Sequence, residues 1–167
     1  FILQDSWQGT FQVNAFEPMG QSFTAEDSAV LFGFSFQAMN TGSPNDPLRV
    51  RLLEGDGLGG SQLASVTFSL SSSFSGYYDV DFSSVSLTVG QRYTAVVDVP
   101  GTSARWGVQL RQGSNPYAGG RAYFSNSLNV DDMRFRVTPT VVATPAPAGM
   151  SLMGVGAASV LLGYRLR

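Results

Sequence analysis

Neither cysteine nor histidine occurs in the 167 residues, and all ten basic residues are arginine, with no lysine. Without cysteine there is no disulfide and no thiolate ligand, and redox chemistry says nothing about compartment. Without histidine the commonest general base and transition-metal ligand is missing, so Ser-His-Asp triads and Cys-His pairs are excluded. Charge is scarce at 13%, and the net value of −2 offers no basic face for nucleic acid. The opening "FILQDSWQGT" has no Met and no basic segment leading into an apolar run. An exported precursor would carry such a leader, so we read this start as processed or truncated, and the missing leader does not argue for the cytoplasm.

Aromatics are plentiful instead, at 12%, with twelve phenylalanines. From Thr10 to Val137 they sit in short alternating runs separated by turn formers. "VLFGFSFQ" puts Phe32, Phe34 and Phe36 on one face, and "TFQVNAF" alternates Phe11 and Val13, with Phe16 one step late. "LRVRLLE" turns Leu48, Val50 and Leu52 inward and Arg49 and Arg51 outward, while "YYDVDFS" sets Tyr78, Val80 and Phe82 against Asp79 and Asp81. "QRYTAVVDV", "ARWGVQLR" and "MRFRVTP" complete the set, and the period-two phase adds Val96 and Phe135 to the expected core. "NTGSPNDP", "EGDGLGGSQ", "PGTS" and "QGSNPYAGG" supply the Gly, Pro, Asn and Asp of tight turns. The expectation is an all-β fold: an antiparallel two-sheet, jelly-roll-like sandwich of about eight to ten strands over residues 1–137. A Pro-rich linker over 138–148 and an apolar terminal segment over 149–167 would follow it.

That last segment differs from everything before it. "TPAPAGMSLMGVGAASVLLGYRLR" passes from prolines to an uncharged run, Gly149 to Tyr164, and then to Arg165 and Arg167. As a helix, some 16 to 18 residues at about 1.5 Å each just cross a hydrocarbon layer of roughly 30 Å. The glycines suit a membrane helix, and the arginines read as a positive-inside stop. The alternative is a helix or strand packed on the sandwich, which would need a polar face; the run offers only Ser151 and Ser159.

Pro-x-Pro, a minimal apolar helix and terminal arginines resemble the PEP-CTERM sorting signal of exported proteins of Gram-negative bacteria, many of which make exopolysaccharide. The matching residues are Pro145, Ala146 and Pro147 for the motif, 149–164 for the helix, and Arg165 and Arg167 for the basic end. Ala146 stands where the family usually has Glu, and Leu166 interrupts the basic cluster. The resemblance implies transient insertion in the inner membrane, recognition by an exosortase-type transpeptidase, and release to the cell surface or medium. "QSFTA", "LLEGDGLGGSQLAS", "VSLTVGQRYTAVV", "NPYAGGRAYF" and "DDMRFRV" resemble in their turn the small β-sandwich modules of choice-of-anchor surface proteins. That second likeness implies an extracellular module and no particular ligand or reaction.

Three groups of side chains are candidates for chemistry. Asp79 and Asp81, two apart on a strand, would hold carboxylates about 6.5–7 Å apart, the lower edge of the inverting-glycosidase range; a solvated face paired with Arg49/Arg51 or Arg134/Arg136 is the plainer reading. Glu54 and Asp56 in "EGDGLGG" have the oxygen chemistry of a Ca²⁺ loop, with Asp131 and Asp132 as distant helpers, but too few alternating ligands, so a metal-free hairpin turn is expected. Trp106, Asn115, Tyr117, Arg121 and Tyr123 gather flat aromatic faces, an amide and a guanidinium, as sandwiches do at glycan sites; a core role for the aromatics is the competing reading. "FGFSFQ" lacks the second glycine of a nucleophile elbow, and no phosphate-cradling loop appears. The sequence therefore points to an exported, non-catalytic surface or matrix protein without a cofactor, associated with exopolysaccharide or biofilm. A lectin-like, polysaccharide-binding module is the alternative, and a glycosidase trails behind.

Overall fold

The computed structural model describes residues 1–39, 43, 45–101, 105–125, 127–128 and 131–140. The alternating runs become strands: β1 (Ile2–Gln4), β2 (Gly9–Gln12), β3 (Met19–Thr24), β4 (Val30–Ala38), β5 (Pro47–Glu54), β6 (Gln62–Ser69) and β7 (Ser75–Asp81). They continue with β8 (Arg92–Asp98), β9 (Trp106–Arg111), β10 (Ala122–Phe124), β11 (Ser127–Leu128), β12 (Asp132–Met133) and β13 (Phe135–Pro139). One helical turn, α1 (Val13–Phe16), interrupts them after β2. All pairings are antiparallel, and they build two sheets. The seven-stranded sheet runs β1-β13-β4-β9-β12 with β2 on β9 and β7 on β4; the six-stranded sheet runs β11-β10-β3-β8-β5-β6. The chain is an all-β sandwich.

Thirteen strands among the described residues exceed the expected eight to ten, because several runs are cut into pieces of two to four residues. "MRFRV" is divided at Arg134, where the chain leaves β9 for β4: Met133 pairs with Leu110, and Phe135 with Phe34. "TFQVNAF" also departs from a single strand. Asn14 and Ala15 are poor strand formers, and β2 gives way there to the helical turn.

The core is a run of phenylalanine. Phe23, Phe32, Phe34, Phe36, Phe82 and Phe135 are all buried, each a gain of about 1.5–3 kcal/mol over exposure. Phe32 sits 4.8 Å from Phe34 and 5.6 Å from Phe135, centroid to centroid, and 5.2 Å from Phe23 on the opposite sheet. Val50, Leu52 and Val80 join them, as their phase predicts. Val96 is buried on the other face. On β8 the core takes Tyr93, Ala95 and Val97, and Val96 lies beneath the loop after β5, where Leu58 crowds Gly20 beside it. Arg92, Thr94 and Asp98 share that face of β8, so Val96 is an apolar residue in phase with polar ones and is buried on their side.

The sandwich ends slightly later than expected. β13 carries Thr138 and Pro139 opposite Leu31 and Val30, and the Thr140 N–H donates to the Ala29 carbonyl at 2.9 Å. Pro145, Ala146, Pro147, the expected helix over 149–164, Arg165 and Arg167 lie outside the described residues. Among the described residues, no helix is long and apolar enough to cross a membrane.

Candidate functional site

The residues nominated around the "NPYAGGRAYF" loop are dispersed by the fold into structural tasks. Trp106 is 1% exposed, and its indole N–H donates to the Asp46 carbonyl at 3.0 Å, so it offers no face to a ligand. Tyr117 packs edge-on against Phe135 at 5.2 Å, and its hydroxyl accepts from the Thr24 N–H. Asn115, with its amide turned as the hydrogen bonding requires, donates to both oxygens of Asp132 at 2.9 and 3.1 Å and to the Gly120 carbonyl at 3.1 Å. Asp132 also accepts from Gln21 Nε2 at 2.9 Å and from the Tyr117 N–H at 2.7 Å. Burial pushes its pKa up to about 6 despite those donors. Arg121 is bound through its backbone, its N–H donating to Ser22 Oγ at 3.0 Å. Gly120 fits only without a side chain, since a Cβ there would lie 1.8 Å from the Ser22 carbonyl oxygen.

Tyr123 belongs to a different neighbourhood. Its hydroxyl donates to Asp56 Oδ1 at 2.7 Å, and Arg92 holds the other oxygen of that carboxylate. Burial opposes ionisation of Asp56, but hydrogen bonds from Ser22, Tyr123 and Arg92 outweigh it and hold the carboxyl below its usual range. Glu54 stands apart, exposed at the end of β5, lining a depression of about 460 Å³ with Gly55, Thr88, Gln91, Arg92 and Tyr93. Asp56 is thus spent on Tyr123 and Arg92, and among the described residues no cluster of three or more acidic side chains could hold a metal.

The acidic pair on β7 separates in the same way. Asp79 receives Arg136, Nε to Oδ1 at 2.8 Å with Nη2 on the second oxygen, whereas exposed Asp81 accepts from the Ser83 N–H at 2.8 Å. Two hydrogen bonds from Ser83, one from its side chain and one from its backbone, lower the Asp81 pKa. The other arginine pair is used elsewhere: Arg49 and Arg51 both grip Asp98, at 2.7 and 2.8 Å.

What the fold does assemble is the outer face of the seven-stranded sheet. β4 presents Gly33 and Ser35 there, two small residues flanked by longer ones on both neighbours. Arg136 on β13 and Asp79 on β7 lie opposite Gly33 from its two sides and close their ion pair across it. A Cβ at Gly33 would come within 2.2 Å of Asp79 Oδ1. One step along, Tyr77 pairs with Ser35 and sends its hydroxyl to Asp5 Oδ1 at 2.8 Å. Arg134 donates through Nε to that same oxygen at 2.7 Å, and through Nη1 to Gln109 Oε1 at 2.8 Å. Its guanidinium carbon lies 5.0 Å from the Tyr77 ring centroid and 6.0 Å from that of Trp7, and Arg136 approaches Tyr77 to 4.8 Å. Such stacks are worth about 0.5–1 kcal/mol each at exposed sites.

Beyond them runs a chain of amides and hydroxyls: Ser35 Oγ donates to Gln109 Oε1 at 2.8 Å, and Thr10 Oγ1 to Gln37 Oε1 at 2.9 Å. Burial and the Asp5 carboxylate push the Tyr77 pKa up to about 12, while Arg134 and Tyr77 hold that of Asp5 down. Trp7 stays 44% exposed at the margin, beside Leu3 at 51%. The cluster of Arg134, Arg136, Asp5 and Asp79 is electrically balanced and rich in planar groups and fixed hydrogen-bonding groups.

Alternation in "YYDVDFS" set Asp79 and Asp81 outward, with Arg134/Arg136 among their expected partners, but did not single out Tyr77. Nothing local announced that Trp7, Asp5 and Gly33 join them, because that juxtaposition follows from strand order. No protein-family profile matches the chain, and no characterised protein matches it.

Proposed function

We propose that the protein is an exported, non-catalytic module of the bacterial cell surface or extracellular matrix, delivered by a C-terminal sorting segment. The observation that carries this is the order of three features in the sequence: Pro145-Ala146-Pro147, the uncharged run 149–164, and Arg165 with Arg167. The sandwich supports it, because β13, the last strand among the described residues, ends at Pro139, before the motif begins. Absence of histidine and cysteine supports the non-catalytic reading. So does the pairing of Asp56, Asp79 and Asp98 with arginines, which leaves those carboxylates engaged. A jelly-roll-like arrangement of the strands belongs to this same reading. The test is expression in a Gram-negative host with and without its exosortase. Intact-mass measurement should find the chain shortened near Pro147 only when the enzyme is present. Identical, full-length chains in both hosts would overturn the sorting reading.

A second reading is polysaccharide binding, and a specific observation favours it. The outer face of the seven-stranded sheet offers an exposed indole at Trp7, guanidinium planes and fixed amides on one rigid surface, which is the chemistry that takes sugar rings. This moves the glycan site away from Trp106 and Tyr117. Binding to a panel of neutral and uronate-containing polysaccharides tests it, with Trp7→Ala as the variant that should lose retention. Retention unchanged in that variant would remove the face from consideration.

A further inference from the structure

Sheet edges are where a β protein must avoid pairing with its neighbours, and this one protects its edges unequally. β1, β11 and β12 are only two or three residues long, and β2 is cut short by the helical turn. β7, which pairs only with β4, carries Asp79 and Asp81. Short strands and charges are the usual ways an edge is blunted.

β6 has neither. Among the described residues it pairs with β5 and no other strand; it runs for eight residues as Gln-Leu-Ala-Ser-Val-Thr-Phe-Ser and contains no charge and no proline. Its one irregularity is the register shift opposite Leu52/Leu53, near Leu63, which leaves Ala64 to Ser69 in regular extended pairing. Ser65, Thr67 and Ser69 are exposed on the outer face, and Leu63 is 40% exposed. On the inner face Ala64, Val66 and Phe68 pack against the core but remain partly open.

We propose that β6 is an association edge that pairs antiparallel with β6 of a second copy of this chain, joining two six-stranded sheets. This goes beyond the sorting and glycan readings and depends on neither. Three features select a second copy over another partner. An uncharged strand meets its own image without repulsion. Hydroxyls on one face and apolar side chains on the other match themselves under two-fold symmetry. The half-open Val66 and Phe68 also gain the cover that an identical strand supplies. A six-residue contact is small, so the dimer is weak and depends on concentration.

The geometry restricts the register. For the inner faces to stay on one side, residue i meets residue j with i + j even. Full use of Ala64 to Ser69 leaves one pairing centred on Thr67 and another centred on Val66. The first sets Thr67 against Thr67; the second sets Ser65 against Thr67. Opposed Cβ atoms would then be about 4.5–5.5 Å apart, close enough for oxidative capture.

Because the chain has no cysteine, single replacements report without background. The experiment uses the full chain in mild detergent, so that residues 149–164 do not themselves drive association. Thr67→Cys alone, or Ser65→Cys mixed with Thr67→Cys, should give several-fold more disulfide-linked dimer on oxidation than Ser86→Cys, an exposed loop control. Sedimentation of the cysteine-free chain should show a concentration-dependent dimer that the double variant S65K/T67K abolishes, with an unchanged circular dichroism spectrum. Equal cross-linking at all positions, or a monomer at every concentration, would overturn the proposal. A dimer that persists in S65K/T67K would also overturn it and assign association to another surface, the C-terminal segment included.

Discussion

The two outer faces of this sandwich are built from similar residues and treated in opposite ways. On the six-stranded sheet the loop after β5 folds back over the strands, Thr94 takes up the Gly57 N–H and the Gly55 carbonyl, and Val96 and Asp98 are buried on the same face, Asp98 under Arg49 and Arg51. On the seven-stranded sheet no loop among the described residues covers Tyr77, Arg134 and Arg136, which interact with one another and with Trp7 and Asp5. Arginine–carboxylate pairs occur on both, but Asp98 is 6% exposed whereas the Asp5 side chain is 55% exposed. The difference separates polar groups that secure the fold from polar groups that the fold holds ready. Mutation should tell them apart by what is lost: stability in the first case, binding in the second.

The largest expected effect comes from Asp132, where the "NPYAGGRAYF" loop is fastened. Asp132→Ala strands the donors of Gln21, Asn115 and the Tyr117 N–H in a buried place. It should cost roughly 3–5 kcal/mol in urea denaturation. Asp79→Ala on the open face removes an ion pair that solvent already screens and should cost less than about 1 kcal/mol. Equal losses would erase the distinction between the two regions.

Asp132 also makes a prediction about pH. Its folded pKa of about 6 lies above the unfolded carboxylate value, so between about pH 4 and 6 the folded state binds more protons than the unfolded chain. Stability must then fall as pH rises through that window, by about 2 kcal/mol once partial screening is allowed for. Asp5 and Asp56, whose pKa values are lowered, act in the other direction: they stabilise above the unfolded value and that contribution is lost in stronger acid. Thermal melting across pH 3–7 should therefore peak near pH 4–5 by this linkage. Asp132→Asn should remove the fall on the alkaline side of that peak.

How much of this could be read from the sequence differs between the same regions. Period-two alternation placed Phe34, Phe36, Val50, Leu52, Val80, Phe82 and Phe135 in the core, because each alternates with polar or small residues along or just after a strand. Val96 is buried as expected, but on the outer face beside Thr94 and Asp98, and the alternation breaks at Val13 to Phe16, where α1 stands. Trp106 on β9 and Tyr117 in the loop before β10 both pack on the core, because an aromatic side chain serves the core as readily as it serves a ligand. The outer-face cluster draws on β1, the segment after it, β4, β7 and β13, so only topology brings it together.

A smaller effect tests how the open face is supported. Gly33→Ala puts a methyl group where Asp79 Oδ1 now lies and should loosen the ion pair with Arg136. The obstacle is the end of a side chain, so the cost should be about 1 kcal/mol. In an Asp79→Ala background the obstacle is gone, and Gly33→Ala should become neutral or slightly favourable, since alanine restricts the unfolded chain more than glycine. A cycle of the four proteins measured by chemical denaturation gives the coupling directly. Additive losses would mean that Gly33 is required for some reason other than the pair above it.

The smallest expected change in stability is at Trp7, and there the comparison is sharpest. Trp7 is 44% exposed and its recorded ring contact is with Arg134 at 6.0 Å, so Trp7→Ala forfeits little packing and should cost less than about 1 kcal/mol. If the open face binds polysaccharide, the same replacement removes its most accessible flat ring, and covering the ring with a sugar is worth on the order of 1.5 kcal/mol of apolar burial. Retention on the polysaccharide that wild type prefers should then fall by about tenfold or more, at unchanged melting temperature. Trp106→Ala should do the reverse, destabilising the sandwich by about 3–5 kcal/mol because its buried indole fills the core end of β9. Any surviving folded fraction should bind as wild type does. A Trp7 variant that melts early yet binds normally would place Trp7 with the groups that secure the fold, and the open face would then be a stabilised surface and not a recognition site.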